Sequence, residues 1–327
     1  MILHLHALRF DFIARDTVRF PAGKPGNVLR GALGSIFRQI VCLPECHDVS
    51  TCPRGGECPY ARIFEPAARA PGPSGLSDWP RPFVFRAGHL DGATVHPGDA
   101  FHFRLNVFYL RQPGVSYFIR SFQRLAHEGL GHQRGRAELQ AVVQLDERNR
   151  PVRDLFRLPA PEIAEPGKPV HLTLAPPDEK IGRILVRFTS PTELKAGQRL
   201  AERPGFDVLF ARARDRVSTL RALYQEGPLP IDFHAMGLRA REVRMTRCEV
   251  RWRDVMRRSS RTGQVHPIGG FAGEAEYEGD LTEFYPFLHA AQWTGVGRHT
   301  VWGKGAIDVE AFPAAGRLDG DAMTARA

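Results

Sequence analysis

Gly295-Val296-Gly297-Arg298, followed by Gly303-Lys304-Gly305, lies between a helix-patterned stretch at 281–292 and a strand-patterned one at 305–311. The same punctuation occurs once before. A helix pattern at 115–127 is followed by Gly129-Leu130-Gly131-His132, then Gly135-Arg136, then a strand pattern around 136–145. The two copies stand 166 residues apart from Gly129 to Gly295 and 168 apart from Gly135 to Gly303. A repeat of that length points to two copies of one supersecondary unit.

Working outward, each half reads in one order. The first opens with a strand at 2–13, where Leu8, Phe10 and Phe12 alternate, and a helix at 26–40, where Leu29, Leu33, Ile36, Phe37 and Ile40 recur at three and four. Strands at 82–87 and 101–108 precede its second helix. The second half has a strand through Ile184, Val186 and Phe188, a helix at about 206–224, strands at 243–256 and 270–279, then its own second helix and last strand. Strand, helix, two strands, helix, strand is the βαββαβ order of a ferredoxin-like, or RRM-like, unit. The expectation is an α+β fold of two tandem ferredoxin-like domains with a Cys-rich insertion in the first. The boundaries read as 1–146 for the first domain with the insertion at 42–80, 147–180 for a linker or extension, 181–312 for the second domain, and 313–327 for a frayed tail. Seven prolines in 146–180 support the linker.

A chain of 327 residues with 43% hydrophobic and 25% charged residues has the composition of a packed globular protein. No run approaches the roughly 18 apolar residues of a membrane span. The start MILHLHALRF lacks the basic and small-residue pattern of a secretory signal, so the cytoplasm is the expected compartment and no membrane partner is expected. The net charge is +9, and only five of the 45 basic residues are lysines. Codon bias accounts for such an Arg excess as well as phosphate recognition does. The positive balance itself points to an anionic partner, nucleic acid first.

Nine arginines fall within 239–261: Arg239, Arg241, Arg244, Arg247, Arg251, Arg253, Arg257, Arg258 and Arg261. Cys248, Val250 and Trp252 alternate with Arg247, Glu249, Arg251 and Arg253, which gives one strand an apolar face and a basic face. That face is either solvated or laid along a nucleic-acid backbone. The run 295–305 is either a tight helix-to-strand turn or a phosphate cradle with Arg298, His299 and Lys304 at its rim. It is no P-loop, since Arg298 stands where that pattern needs a glycine and Gly305 where it needs Ser or Thr. Cys42, Cys46, Cys52 and Cys58 follow a C-x3-C-x5-C-x5-C spacing. Reduced thiols so placed fit a structural Zn, an iron–sulfur cluster, or simple packing.

Several short pieces, in order along the chain, carry a family resemblance. They are Leu29-Arg30-Gly31-Ala32-Leu33-Gly34, Cys58-Pro59-Tyr60 through Phe64-Glu65, Arg81-Pro82-Phe83-Val84, Pro97-Gly98-Asp99 and Gly129 through Gly135. Thr189 to Lys195, Arg258-Ser259-Ser260-Arg261, Gly269-Gly270, Gly279-Asp280-Leu281 and the last glycine run complete the set. The chain resembles the CRISPR-associated endoribonucleases of the RAMP superfamily that process precursor CRISPR RNA, in the branch with a cysteine-bearing first domain.

The resemblance implies cleavage of repeat RNA to mature crRNA without a metal. The ribose 2′-hydroxyl attacks the adjacent phosphate and leaves 2′,3′-cyclic phosphate and 5′-hydroxyl ends. The partners it implies are precursor CRISPR RNA, crRNA and subunits of a CRISPR effector complex. No cofactor is expected for catalysis, and Zn would be structural. His47, just past the first helix, is the first catalytic candidate and His299 the second, with Tyr60 and Lys24 in orienting or charge-stabilising roles. Arg134, Arg136, Arg247, Arg251, Arg258, Arg261, Gly295, Gly297, Arg298, Gly303, Lys304 and Gly305 are the expected RNA contacts. The family often has His-x-Gly-Lys where this chain has Gly295 to Arg298, so a histidine is lost there and a cation kept. The rival readings are a non-catalytic RNA-binding RAMP subunit and a zinc-stabilised DNA-binding or structural protein.

Overall fold

The computed structural model of the chain describes residues 1–314 except 32, 47, 50, 67–78, 132 and 259–262. The first half runs β1 (Ile2–Ala14), β2 (Val18–Arg19), α1 (Pro25–Gly31), α2 (Leu33–Val41), α3 (Pro59–Ile63), β3 (Phe83–Arg86), β4 (Thr94–Val95), β5 (Ala100–Val107), α4 (Gly114–Glu128), β6 (Ala137–Leu145), β7 (Pro151–Arg157) and β8 (Val170–Thr173). Its sheet has the order β3-β5-β1-β6-β7, with every pairing antiparallel. The order β6-β1-β5-β3 is the fourth-first-third-second arrangement of a ferredoxin-like unit.

The second half runs β9 (Ile181–Thr192), β10 (Lys195–Ala196), β11 (Arg199–Leu200), α5 (Phe206–Tyr224), α6 (Phe233–Ala240), β12 (Arg244–Arg253), β13 (Met256–Arg258), β14 (Val265–Pro267), β15 (Gly270–Glu278), α7 (Tyr285–Thr294) and β16 (Ile307–Pro313). Its sheet, β12-β15-β9-β16, repeats the same arrangement. The fold is two tandem ferredoxin-like domains.

Period two explains β1. Leu8, Phe10 and Phe12 are fully buried toward the helices, and Phe10 lies opposite Phe103 with stacked rings 5.1 Å apart. Phe83, Phe85, Phe118 and Phe122 complete this aromatic layer. Removing one such ring costs about 3–5 kcal/mol. The helical period explains α5, whose Leu209, Ala213, Val217 and Leu220 are all buried.

The opposite face of the first sheet is also apolar at one end. Leu3, Leu5, Ala7, Val84 and Val143 share a core with Leu209, Leu220 and Leu288 of the second domain. Polar clamps accompany it. Gln225 accepts from the His4 amide at 3.1 Å and donates to its carbonyl at 2.7 Å, and Asn106 donates to the Trp293 carbonyl at 2.9 Å.

Of the two readings of 147–180, linker or extension, the strands there form an extension. β7 extends the first sheet beside β6, and β8 pairs with the first residues of β1. Leu155, Phe156, Val170 and Leu172 are buried. Prolines mark the ends and joints of these strands rather than a free tether. Within the 42–80 insertion α3 is helical, and 67–78 lie outside the described residues. The expected tail falls mostly outside them too, since β16 runs through Pro313.

Candidate active site

Both glycine turns converge on α1. A Cβ at Gly26 would sit 2.6 Å from the Trp302 carbonyl oxygen, and one at Gly131 would sit 3.3 Å from a Val28 methyl. The start of α1 therefore lies against the second domain's turn, and its next residues against the first domain's turn. At this junction the repeated element of each half meets the same helix.

Arg257 of β13 reaches into the junction. Its Nε donates to Asn27 Oδ1 at 3.1 Å, and its guanidinium lies 4.5 Å from the centre of the Trp302 ring. His299 stacks on the same indole at 5.1 Å and 17°. Arg298 pairs with the nearly buried Glu193 at 2.5 Å and keeps half of its side chain exposed. Burial, then the charges of Arg298, Lys304 and Arg257, hold the His299 pKa below its ordinary value despite Glu193. His299 is thus neutral at pH 7. Its Nε2 is buried and meets no hydrogen-bond partner among the described residues.

Several amides of the expected phosphate cradle are taken by backbone carbonyls. Val296 N donates to Gly305 O, Arg298 N to Glu193 O, Gly303 N to Thr300 O, Lys304 N to His299 O and Gly305 N to Pro191 O. The glycines serve close packing. A Cβ at Gly297 would lie 2.2 Å from Glu193 O, and one at Gly305 would lie 1.9 Å from Val296 O. Gly295 and Gly303 are likewise in the left-handed region, with φ of 70° and 74°. These four glycines shape the turn that presents side chains.

Lys304 is corrected as well. It is 2% exposed, and its Nζ donates to the Gly23 carbonyl across the domain boundary. Burial pushes its pKa down to about 8, with Asp91 raising it and Lys24 lowering it further. It braces α1 rather than standing at the rim.

Three arginines of the stripe are paired with carboxylates that lie further along the chain. Arg247 pairs with Glu274 at 2.9 Å, Arg244 with Glu278 at 3.1 Å, and Arg239 with Glu283 at 2.5 Å. Glu274 and Glu276 also take Arg187 and Arg183 from β9. These carboxylates are distant in sequence from the stripe, so a local charge count misses them. Arg251 and Arg258 are exposed and form no ion pair among the described residues. In the first-half turn Arg134 is exposed, while Arg136 is paired with Asp16 at 2.7 Å. His47 and Arg261 lie outside the described residues. Tyr60 is tied to Glu65 at 3.1 Å, and burial, then Glu65, pushes its pKa up to about 12, so it stays a phenol.

The four cysteines are neighbours. Cys52 and Cys58 pack together with Cys46 beside them, and burial, then the charges of Cys58, Cys46 and Cys52, pushes the Cys42 thiol up to about 11. Among the described residues no three potential ligands are set as a ready metal site. Sequence reasoning did not single out Arg257, Asn27 or Trp302. An indole inside a glycine turn was the available signal, since nothing about a turn requires one.

Residues 3–166 match a family model described as an N-terminal domain, and residues 186–307 match the CRISPR-associated endoribonuclease Cas6. None of the curated proteins matches the chain. Among solved structures, a Cas6 product complex is 16% identical, covers 93% of this chain and 98% of its own, and has a TM-score of 0.51. Thermus thermophilus Cas6 is 15% identical, with 94% and 98% covered and a TM-score of 0.50. A partial Cas6-RT-Cas1–Cas2 complex is 14% identical, with 95% of this chain and 47% of that one covered and a TM-score of 0.55. These likenesses show a shared fold. No helix among the described residues is long and apolar enough to cross a membrane. The second ferredoxin-like domain, over residues 186–307, is thus the part of the chain that matches the model of the CRISPR-associated endoribonuclease Cas6.

Proposed function

We propose that the chain cleaves precursor CRISPR repeat RNA at the junction of α1 with the second glycine turn, by attack of a ribose 2′-hydroxyl on the adjacent phosphate. The O2′–P bond forms, the P–O5′ bond breaks, and the ends are a 2′,3′-cyclic phosphate and a 5′-hydroxyl. One base takes the 2′ proton and one acid protonates the leaving 5′ oxygen. The observation that carries this reading is Arg257, held between Asn27 and Trp302 beside Arg298 and neutral His299. Fixed guanidinium groups stabilise the charge that grows on a pentacoordinate phosphorane. A cluster of cations is also a poor seat for a divalent metal, which supports a metal-independent reaction.

His47 remains the proposed base, on the family resemblance. His299 has the right protonation state for a base, but its Nε2 faces inward. The test is incubation of the purified chain with its genomic repeat RNA in EDTA, with the ends mapped. Cleavage is expected with the ribose substrate and none with 2′-deoxyribose upstream of the cut. A deoxy substrate cut at the same rate overturns the 2′-hydroxyl mechanism.

A further inference from the structure

We infer that the cavity between the open face of the first sheet and the α7–β16 edge of the second domain is a binding site for one phosphate-class anion. The cavity is about 210 Å³. Arg86 of β3 and Arg104 and Asn106 of β5 wall one side, His289 and Trp293 of α7 the other, with Asp308 of β16 at the edge. It lies on the far side of β3 from the helices of the first domain, and so apart from the α1 junction.

The arginines there close no ion pair among the described residues. Arg86 Nη2 donates to the Gln292 carbonyl at 2.6 Å, but its Nη1 is buried and meets no acceptor among the described residues. Among the described residues Arg104 is hydrogen-bonded to the neutral side chain of Asn149 alone. Arg216 stands behind them, held by the Thr294 carbonyl at 2.8 Å. Asp308 and Glu147 border the cavity, yet neither forms an ion pair with these arginines among the described residues. Burial first, then Arg104 and Arg216, pushes the Arg86 pKa down to about 9 against the opposite pull of Asp308. All three guanidinium groups stay charged at neutral pH.

Packing alone does not account for this. Bracing α7 uses Nη2 of Arg86 and leaves Nη1 without an acceptor, and Arg104 has only a neutral one among the described residues. Buried cations unpaired with carboxylate are costly, and the missing counter-charge is an anion whose oxygens meet a guanidinium fork. A water needs roughly 10–15 Å³ of such space. The cavity therefore has room for a phosphate together with an attached sugar or base. A phosphate ester can be a link of an RNA strand or a free small molecule, and the chemistry at the arginines is the same.

The test uses the full chain and inorganic phosphate, titrated calorimetrically at constant ionic strength against chloride. Saturable binding is expected. Arg104→Gln, on the more open wall, should weaken it roughly tenfold or more, the worth of one charge-assisted hydrogen bond. Arg86→Gln should do the same, and if that variant does not fold, Arg104→Gln alone decides. Arg124→Gln, at the exposed Arg124–Glu128 pair of α4, should bind phosphate as the wild type does. A single-stranded RNA that displaces phosphate competitively identifies the ester as an RNA phosphate. Simultaneous binding identifies it as a free phosphate ester. No saturable phosphate binding, or an Arg104→Gln variant that binds phosphate as tightly as wild type, overturns the site. None of these readouts depends on RNA cleavage.

Discussion

Lys304 shows how far a residue's surroundings can redirect it. By sequence it is a cation in a glycine run, ready for phosphate. In the structure it is enclosed and donates to the Gly23 carbonyl. Its depressed pKa of about 8 carries a stability consequence. Below pH 8 the folded chain buries an ammonium that the unfolded chain keeps in water. As pH rises from about 8 toward the ordinary lysine value, the folded state sheds a proton that the unfolded state retains, so stability rises. Urea unfolding at pH 7.5 and 9.5 should show the wild type gaining on Lys304→Met across that window. Parallel changes in the two proteins would mean that the lysine is not held neutral by its burial. The same variant separates bracing from binding. Arg258→Gln should lower the salt slope of RNA binding by about one, while Lys304→Met leaves it unchanged. Part of the arginine stripe is likewise redirected by its surroundings. Arg247 and Arg244 find their counter-charges, Glu274 and Glu278, on the partner strand β15, and strand register is invisible to a local charge count.

At the scale of elements, periodic patterns were legible and additions to the sheet edge were not. The α5 span matches its expected limits, because its apolar positions repeat without a break. The last helix starts later than its pattern, at Tyr285, with a proline in its first turn. β7 was missed because most of its residues face solvent on an outer strand. The repeated glycine turns were found, but their use was not. Gly305 has φ of 66° and would place a Cβ 1.9 Å from Val296 O, whereas a Cβ at Gly31 in α1 would meet nothing within 4 Å. Gly305→Ala should therefore destabilise the chain by at least roughly 1–3 kcal/mol from the backbone conformation alone. Gly31→Ala should stabilise it by about 0.5–1 kcal/mol. Equal effects in urea unfolding would remove the packing account of the turn. The cysteine element carries its own expectation. Four neighbouring thiols fit the donor chemistry of zinc, so protein purified without chelator should hold about one Zn per chain and lose stability when it is stripped. If elemental analysis finds only background metal and Cys52→Ser is as stable as wild type, the thiols do no more than pack.

The two halves share a core because the first sheet is apolar on both faces at one end, and unfolding as one cooperative body is the expected consequence. Leu8, Phe10 and Phe12 of β1 face their own helices, while Leu3, Leu5 and Ala7 face the second domain. That two-sidedness was present in the sequence, where Leu3, Leu5 and Ala7 interleave with histidines, but it reads as an ordinary strand until a second layer is in view. Leu5 is fully buried in the core shared with α5 and α7. Leu5→Ala should cost about 2–5 kcal/mol. The site of that loss makes it diagnostic. Tryptophan fluorescence draws on Trp252, Trp293 and Trp302 in the second half and only Trp79 in the first, whereas circular dichroism reports both halves. In a cooperative molecule, a substitution in the first strand lowers both midpoints by the same amount and leaves the two probes superimposed. In two independent domains, the dichroism would shift and the fluorescence transition would stay largely in place. Superimposed curves for wild type and Leu5→Ala are the expected result. They would mean that the α1 junction, assembled from both halves, is held in place by the full unfolding free energy of the chain and not by the contacts at the junction alone.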